Sequence, residues 1–262
     1  MKRKIVYGNG RHLSYAEYGD RNGFPILVQH GLIASIDDHN LFDRLIRSQA
    51  RLICVARPGY GESSPYELDS YAAWADITGR LVEELSLTQC DLLGISSGAP
   101  YAYAIACRFP ERVRNVYILS GTPALYDETV LSAWPYPPLR NKSIAELEVL
   151  SYDLFFANLT AKDLKNNDLR DSTMNHAFGV AQDLRLRFMD WGFSLSDVRG
   201  RIFMRHSKED QSVPYETAIR TAELLSDCEL ELTETGPHFS PQTLDEFLER
   251  TVIKNLGAFE SR

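Results

Sequence analysis

Apolar residues along this chain fall into two alternating rhythms. Short continuous runs, Ile26-Leu27-Val28, Leu52 to Val55, Cys90 to Ile95, Val116 to Leu119 and Ile202-Phe203-Met204, read as strands buried on both faces, and Glu229 to Leu232 as one more strand. Between them lie stretches with helical spacing: Leu41 to Ile46, Tyr71 to Leu85 with Asp69 or Ser70 as N-cap, Ser97 to Arg108 ending at Phe109-Pro110, Tyr215 to Leu225, and a closing helix from Leu244 to Leu256. At the start, Ile5 to Tyr7 and Leu13 to Tyr18 flank Gly8-Asn9-Gly10, the pattern of a hairpin. This alternation predicts an α/β fold with a mostly parallel, doubly wound sheet. The rhythm changes after Ser120-Gly121-Thr122-Pro123. Ile144 to Phe156 and Val180 to Trp191 read as helices and no strand is expected, so residues 123–199 are expected to form a helical cap inserted between two parts of one core, residues 1–122 and 200–262.

Composition agrees with a packed domain. The 262 residues suit one large α/β unit or a unit with an insertion, and 44% hydrophobic with 24% charged residues is enough to build a core. The net charge of −8, with Met1-Lys2-Arg3-Lys4 as the densest basic run, argues against binding nucleic acid or adsorbing to anionic membranes. Only Ile5-Val6-Tyr7 follow that run before Gly8, so no signal-peptide core is expected, and no apolar run approaches bilayer length. Cys54, Cys90, Cys107 and Cys228 lack CxxC spacing, which points away from a zinc or dithiol site and toward buried free thiols in a cytoplasmic protein. Gly59-Tyr60-Gly61 is followed by Ser64 where a dinucleotide fingerprint requires glycine. The expectation is therefore no metal and no cofactor, with a small molecule as substrate; the sequence sets no oligomeric state.

The candidate chemistry centres on Gly94-Ile95-Ser96-Ser97-Gly98, a G-x-S-x-G pattern between a strand and a helix. A turn that tight needs small residues around the serine and exposes the Ser96 hydroxyl at the end of the strand, beside a helix N-terminus that favours negative charge. Of the six histidines, only His238, in Gly236-Pro237-His238-Phe239, follows the last strand, where a Ser…Asp…His order places the base. The segment after the Ile202 strand offers Asp210 as the carboxylate that would orient it, with Glu209 as the nearest rival. The backbone N–H groups of Ser97 and Leu32 are the expected oxyanion donors, and His30 is expected to shape the Leu32 loop by hydrogen bonding. Aromatic residues crowd the inserted segment, among them Tyr126, Trp134, Phe155, Phe188 and Trp191. They serve either as the core of the cap or as an apolar pocket wall above Ser96.

Five motifs in order resemble the α/β-hydrolase superfamily over nearly the whole length: His30-Gly31, Arg57-Pro58-Gly59-Tyr60-Gly61-Glu62-Ser63, the Ser96 elbow, the Asp210 loop ending in Val213-Pro214, and Gly236-Pro237-His238-Phe239. Serine at position 96 separates the chain from the aspartate-nucleophile dehalogenases and epoxide hydrolases and from cysteine-nucleophile dienelactone hydrolases. His30-Gly31-Leu32-Ile33-Ala34 departs from the HGGPG-like segment of proline iminopeptidases. Ala56 and Ala99 stand where the family often has Asp and Gly. What remains is similar to the carboxylesterase, lactonase and thioesterase branch. The resemblance implies cleavage of a small ester, lactone or thioester through an acyl-enzyme on Ser96; a small-molecule sensor, a lyase or a perhydrolase on the same three residues are its alternatives.

Overall fold

The computed structural model describes residues 2–8 and 10–260, with side chains through residue 257. Met1 of the basic run, Asn9 of the expected turn and residues 261–262 lie outside the described residues. Eight strands, β1 (Lys2–Tyr7), β2 (Arg11–Gly19), β3 (Pro25–Gln29), β4 (Arg51–Val55), β5 (Cys90–Ile95), β6 (Val113–Leu119), β7 (Arg201–Ser207) and β8 (Cys228–Thr233), form one sheet in the order β1-β2-β4-β3-β5-β6-β7-β8. Strands β1, β2 and β4 pair antiparallel; the pairs from β4 and β3 through to β8 are parallel. The helices are α1 (Asp43–Arg47), α2 (Tyr71–Glu84), α3 (Ala99–Arg108), α4 (Glu128–Leu131), α5 (Ile144–Ser151), α6 (Asn167–Leu186), α7 (Tyr215–Glu223), α8 (Pro241–Phe247) and α9 (Lys254–Glu260).

The continuous apolar runs occupy the middle of the sheet because only there are both faces covered. Side chains alternate between faces along each strand, and the core divides accordingly. Leu27, Ile53, Leu92 and Ile118 pack with Trp74 of α2 and Tyr101 of α3 on one face. Ile26, Val28, Leu52, Leu93 and Tyr117 pack with Leu45, Leu244 and Phe247 on the other. Helix α2 starts where the sequence places a cap: the Ser70 side chain accepts from the Ala73 N–H.

Between β6 and β7 the described residues contain helices and turns but no strand. Several expected helices are interrupted. Ile144 to Phe156 is α5 followed by a π-helical turn from Tyr152 to Phe156, and the closing helix is α8, a π turn over Leu248–Ile253, and α9. Helix α6 begins earlier than expected and breaks at Asn175, His176 and Ala177, all left-handed. The Leu41 to Ile46 helix is a 3-10 turn running into the short α1. Cys54 and Cys90 are buried free thiols as expected, whereas Cys107 and Cys228 are half-buried. Among the described residues no helix is long and apolar enough to cross a membrane.

Candidate active site

Strand β5 ends at the centre of the sheet, and Ser96 follows it with φ of +50°. That left-handed conformation costs a non-glycine residue about 1–2 kcal/mol, so its surroundings must enforce it. The Thr122 N–H donates to the Ser96 carbonyl at 2.9 Å. Gly98 has an ordinary φ of −75°; it is required by close approach, since a Cβ there would lie 2.0 Å from the Gln29 carbonyl oxygen of β3. A Cβ at Gly94 would meet Ile118 Cδ1 at 2.9 Å. The two glycines let β5 and the following turn press against β3, β6 and α3, and the serine hydroxyl is left facing the cavity.

His238 sits between β8 and α8 on a loop tied to β7, where the Ser207 hydroxyl donates to the Gly236 carbonyl at 2.7 Å. Its Nε2 lies 2.8 Å from Ser96 Oγ and its Nδ1 2.6 Å from Asp210 Oδ2. A carboxylate only accepts, so Nδ1 donates to Asp210 and Nε2 accepts the Ser96 hydroxyl proton. Asp210 is fixed in turn by its other oxygen, Oδ1, which accepts from the backbone N–H groups of Ser212 at 2.8 Å and Val213 at 2.9 Å. Burial works against ionising Asp210, but hydrogen bonds from His206 and His238, the charge His238 can carry and the Val213 N–H outweigh it, holding this carboxyl well below the usual range. Glu209 is exposed and accepts from the Gly236 N–H at 3.2 Å, so it braces the histidine loop without reaching the imidazole.

His206, which chain order sets aside as the base, has a role at the site that the sequence does not mark. It is 1% exposed, its Nε2 lies 3.1 Å from Asp210 Oδ2 and 2.9 Å from the Val213 carbonyl, and its Nδ1 has no partner among the described residues. Both neighbours of Nε2 are acceptors, so Nε2 carries the proton and shares it between Asp210 and Val213. The sequence signal for it, a histidine at the penultimate position of β7 and four residues before Asp210, has no local meaning without the loop's curl.

The loop after β3 lies beside the serine: a Cβ at Gly31 would sit 3.9 Å from Ser96 Cβ. The Leu32 N–H donates to no acceptor among the described residues, and Ser97 occupies the first turn leading into α3, where N–H groups lack helical partners. Leu32 and Ser97 both line the cavity that contains Ser96 and His238. His30 is buried, and burial first, then the charge of Arg57, hold its pKa well below the ordinary value. Its Nδ1 lies 2.8 Å from the Gly31 carbonyl and its Nε2 accepts from the Arg57 N–H at 3.3 Å, the pattern of a neutral imidazole that shapes the loop.

The cavity has a volume of about 890 Å³ and is largely apolar. Of the expected wall residues, Trp134, Phe155 and Phe188 line it, together with Leu154 and Tyr136. Trp191 and Tyr126 do not. Trp191 is fully buried against Tyr71 and Tyr103, because α2 and α3 offer it an aromatic surface away from Ser96, and Tyr126 packs on its ring at 5.0 Å. Three charged residues that the sequence did not single out line the wall: Lys142, Asp168 and Arg187. Arg187 donates to Ser97 Oγ at 3.4 Å and to the Asp183 carbonyl at 3.3 Å, and it makes no ion pair among the described residues; burial lowers its pKa. Burial also pushes the Asp168 carboxyl up to about 6, with the charge of Asp38 adding to it. Among the described residues no cluster of His, Cys, Asp or Glu could hold a metal ion.

Three comparisons with known proteins agree in kind. A family model described as the alpha/beta hydrolase fold matches residues 25–241. The chain is 25% identical over 235 residues to a 2-hydroxymuconate semialdehyde hydrolase of Pseudomonas sp. (strain CF600), covering 83% of this chain and 81% of that protein. It is 24% identical over 266 residues to a non-heme chloroperoxidase of Streptomyces lividans, covering 93% and 95% of the two chains. Among solved structures, an esterase from Exiguobacterium antarcticum is similar over the whole of both chains with a TM-score of 0.74 at 21% identity.

Proposed function

The chain belongs to the alpha/beta hydrolase family, and from that premise we propose that it cleaves a small, largely apolar ester, lactone or thioester through an acyl-enzyme on Ser96. The observation that carries this reading is the unbroken relay from Ser96 Oγ through His238 to Asp210, at 2.8 and 2.6 Å, opening into the cavity. In the acylation step Ser96 Oγ bonds to the substrate carbonyl carbon while His238 Nε2 takes the hydroxyl proton. The Leu32 and Ser97 N–H groups receive the resulting oxyanion. Collapse breaks the bond to the leaving oxygen or sulfur, which departs with the proton from His238, and water then repeats the sequence to release the acid and restore Ser96. The helices within residues 123–199 serve as a cap that supplies Trp134, Phe155 and Phe188 to the acyl site. Four unpaired thiols fit a reducing cytoplasm.

A second reading is favoured by Arg187: an arginine that lines the cavity and makes no ion pair among the described residues suits an anionic substrate, such as the muconate-type compound in the name of the Pseudomonas relative. The test is a panel of p-nitrophenyl esters, lactones and acyl thioesters, each with neutral and terminal-carboxylate acyl chains. Sustained turnover of neutral members supports the first reading, and exclusive turnover of the anionic members supports the second. Binding without product release from any member would turn the assignment toward a sensor.

A further inference from the structure

The loop that carries Leu32 is held from behind by one buried cluster. Arg57 Nη1 donates to the His30 carbonyl at 2.6 Å and Nη2 to the Gly31 carbonyl at 2.9 Å, and the Tyr60 hydroxyl donates to the Leu32 carbonyl at 2.8 Å. Three consecutive carbonyls are thus gathered by two side chains. In an extended strand successive carbonyls point to opposite sides, so gathering three requires the chain to curl, and a curl that turns carbonyls one way turns N–H groups the other. The face of this loop away from Arg57 and Tyr60 is the one we assign to the Ser96 side, since Gly31 lies against Ser96 and both Gly31 and Leu32 line its cavity.

The cluster is completed from a distant part of the chain. Asp183, on α6 between β6 and β7, accepts on Oδ2 from Arg57 Nη2 at 2.6 Å and lies 2.9 Å from the Tyr60 hydroxyl, whose single proton is shared between this carboxylate and the Leu32 carbonyl; its Oδ1 accepts from the Tyr101 hydroxyl at 2.6 Å. Arg57 is 0% exposed and Asp183 1%, so the guanidinium has no solvent to fall back on if the carboxylate is removed. One helical turn further on, Arg187 reaches the hydroxyl of Ser97, the other expected donor residue. Helix α6 and its C-cap residue therefore bear on both halves of the site that would receive the oxyanion, on Ser97 directly and on the Leu32 loop through Arg57 and Tyr60.

We propose that Asp183 is a positioning residue for the oxyanion hole, acting through Arg57 and Tyr60 on the Leu32 loop. The helical segment between β6 and β7 then does more than cover the cavity. It helps to build the catalytic geometry, and it cannot lift away from the Arg57 cluster without stranding a buried charge. This inference rests on the acyl-transfer reading above and adds to it a residue outside the Ser96-His238-Asp210 relay.

The test measures how fast a small alkyl fluorophosphonate labels Ser96, because its phosphoryl oxygen occupies the same hole and no knowledge of the natural substrate is needed. In parallel, kcat and KM are measured separately on a p-nitrophenyl butyrate substrate, and folding is checked by melting. Asp183→Asn keeps the shape and removes the charge, and is expected to slow labelling about 30–100-fold. Tyr60→Phe removes one hydrogen bond to Leu32 and is expected to slow it about 10-fold; full loss of an oxyanion donor costs about 100–1,000-fold. The loss should fall on kcat, with KM changing less than about threefold. Tyr101→Phe, which contacts Asp183 but no loop carbonyl, should cost less than Tyr60→Phe. Should Asp183→Asn fail to fold, Tyr60→Phe against Tyr101→Phe decides. Wild-type labelling rates in the folded variants, or equal losses in Tyr60→Phe and Tyr101→Phe, overturn the proposal. If the wild-type protein takes no label on Ser96, the acyl-transfer reading falls and takes this inference with it; a labelled wild type with indifferent variants sinks the positioning role alone.

Discussion

Two buried carboxylates stand on either side of the Ser96 site, and their partners differ. Asp210 is bound by two imidazoles and two backbone N–H groups; Asp183 by a guanidinium and two phenols. An imidazole can gain and lose a proton near neutral pH, whereas a guanidinium keeps its charge. For Arg57, burial opposes the charge, but Asp183 and its hydrogen bond outweigh that and raise the pKa. On the proposed mechanism one carboxylate would stabilise the charge that His238 gains during acyl transfer, and the other holds a permanent charge. On that mechanism the same functional group serves as part of a relay in one place and as a fixed anchor in the other because of what surrounds it.

Five variants or conditions would break or sharpen that contrast. Ser96→Ala should abolish turnover of a p-nitrophenyl ester, a loss of about 10⁴-fold or more, while circular dichroism and melting remain as in the wild type. A variant that kept near-wild-type turnover would remove Asp210's relay partner and the mechanism with it. Asp210→Asn should lower kcat about 10³- to 10⁴-fold, because the amide no longer holds the His238 tautomer that accepts from Ser96. Asp183→Ala should show up first in stability: it leaves Arg57 buried without a counter-charge, and the urea midpoint should report a loss of about 3–5 kcal/mol. If stability were unchanged and only kcat fell, Asp183 would belong with Asp210 rather than opposite it.

The smallest effect concerns acid. The carboxyl of Asp210 has its folded-state pKa below the ordinary value near 4. Its contribution to stability is therefore present in full above that ordinary value and is lost as the pH falls from there toward the folded-state pKa. Between pH 5 and pH 3 the urea midpoint of the wild type should fall more than that of Asp210→Asn, and equal acid slopes would show that the hydrogen bonds to Asp210 form equally well when it is protonated. Cavity-wall changes such as Phe155→Ala should affect KM across acyl-chain lengths without touching either carboxylate.

The relay and the anchor were not equally readable in the sequence. Ser96 announces itself because the constraint is local: a strand, a sharp turn and a helix need Gly94 and Gly98 within two residues of it. His238 and Asp210 follow from chain order, since each lies in the loop after a recognisable strand. The Arg57–Asp183 pair spans 126 residues, and nothing in the spacing of α6 marks Asp183, rather than Asp168 or the equally buried Asp171, as the partner of Arg57. The wall aromatics were ambiguous for the same reason: Trp134 and Trp191 carry identical surface, and which of them faces the cavity depends on where α2 and α3 lie. The helix interruptions at Tyr152–Phe156 and at Asn175 to Ala177 have no glycine or proline to signal them.

By itself the sequence determined the strand and helix alternation, the sharp turn after β5 and the identity of the three residues that can meet there. Those are matters of periodicity, turn sterics and the order of loops along one edge of a sheet. The tertiary structure alone decided which buried charges are paired, how the Leu32 loop is curled and which aromatic faces enclose the cavity. Such contacts join segments more than a hundred residues apart, and they are selected by the cost of leaving a charge or a carbonyl unsatisfied in the interior, a cost that exists only once the chain has folded around it.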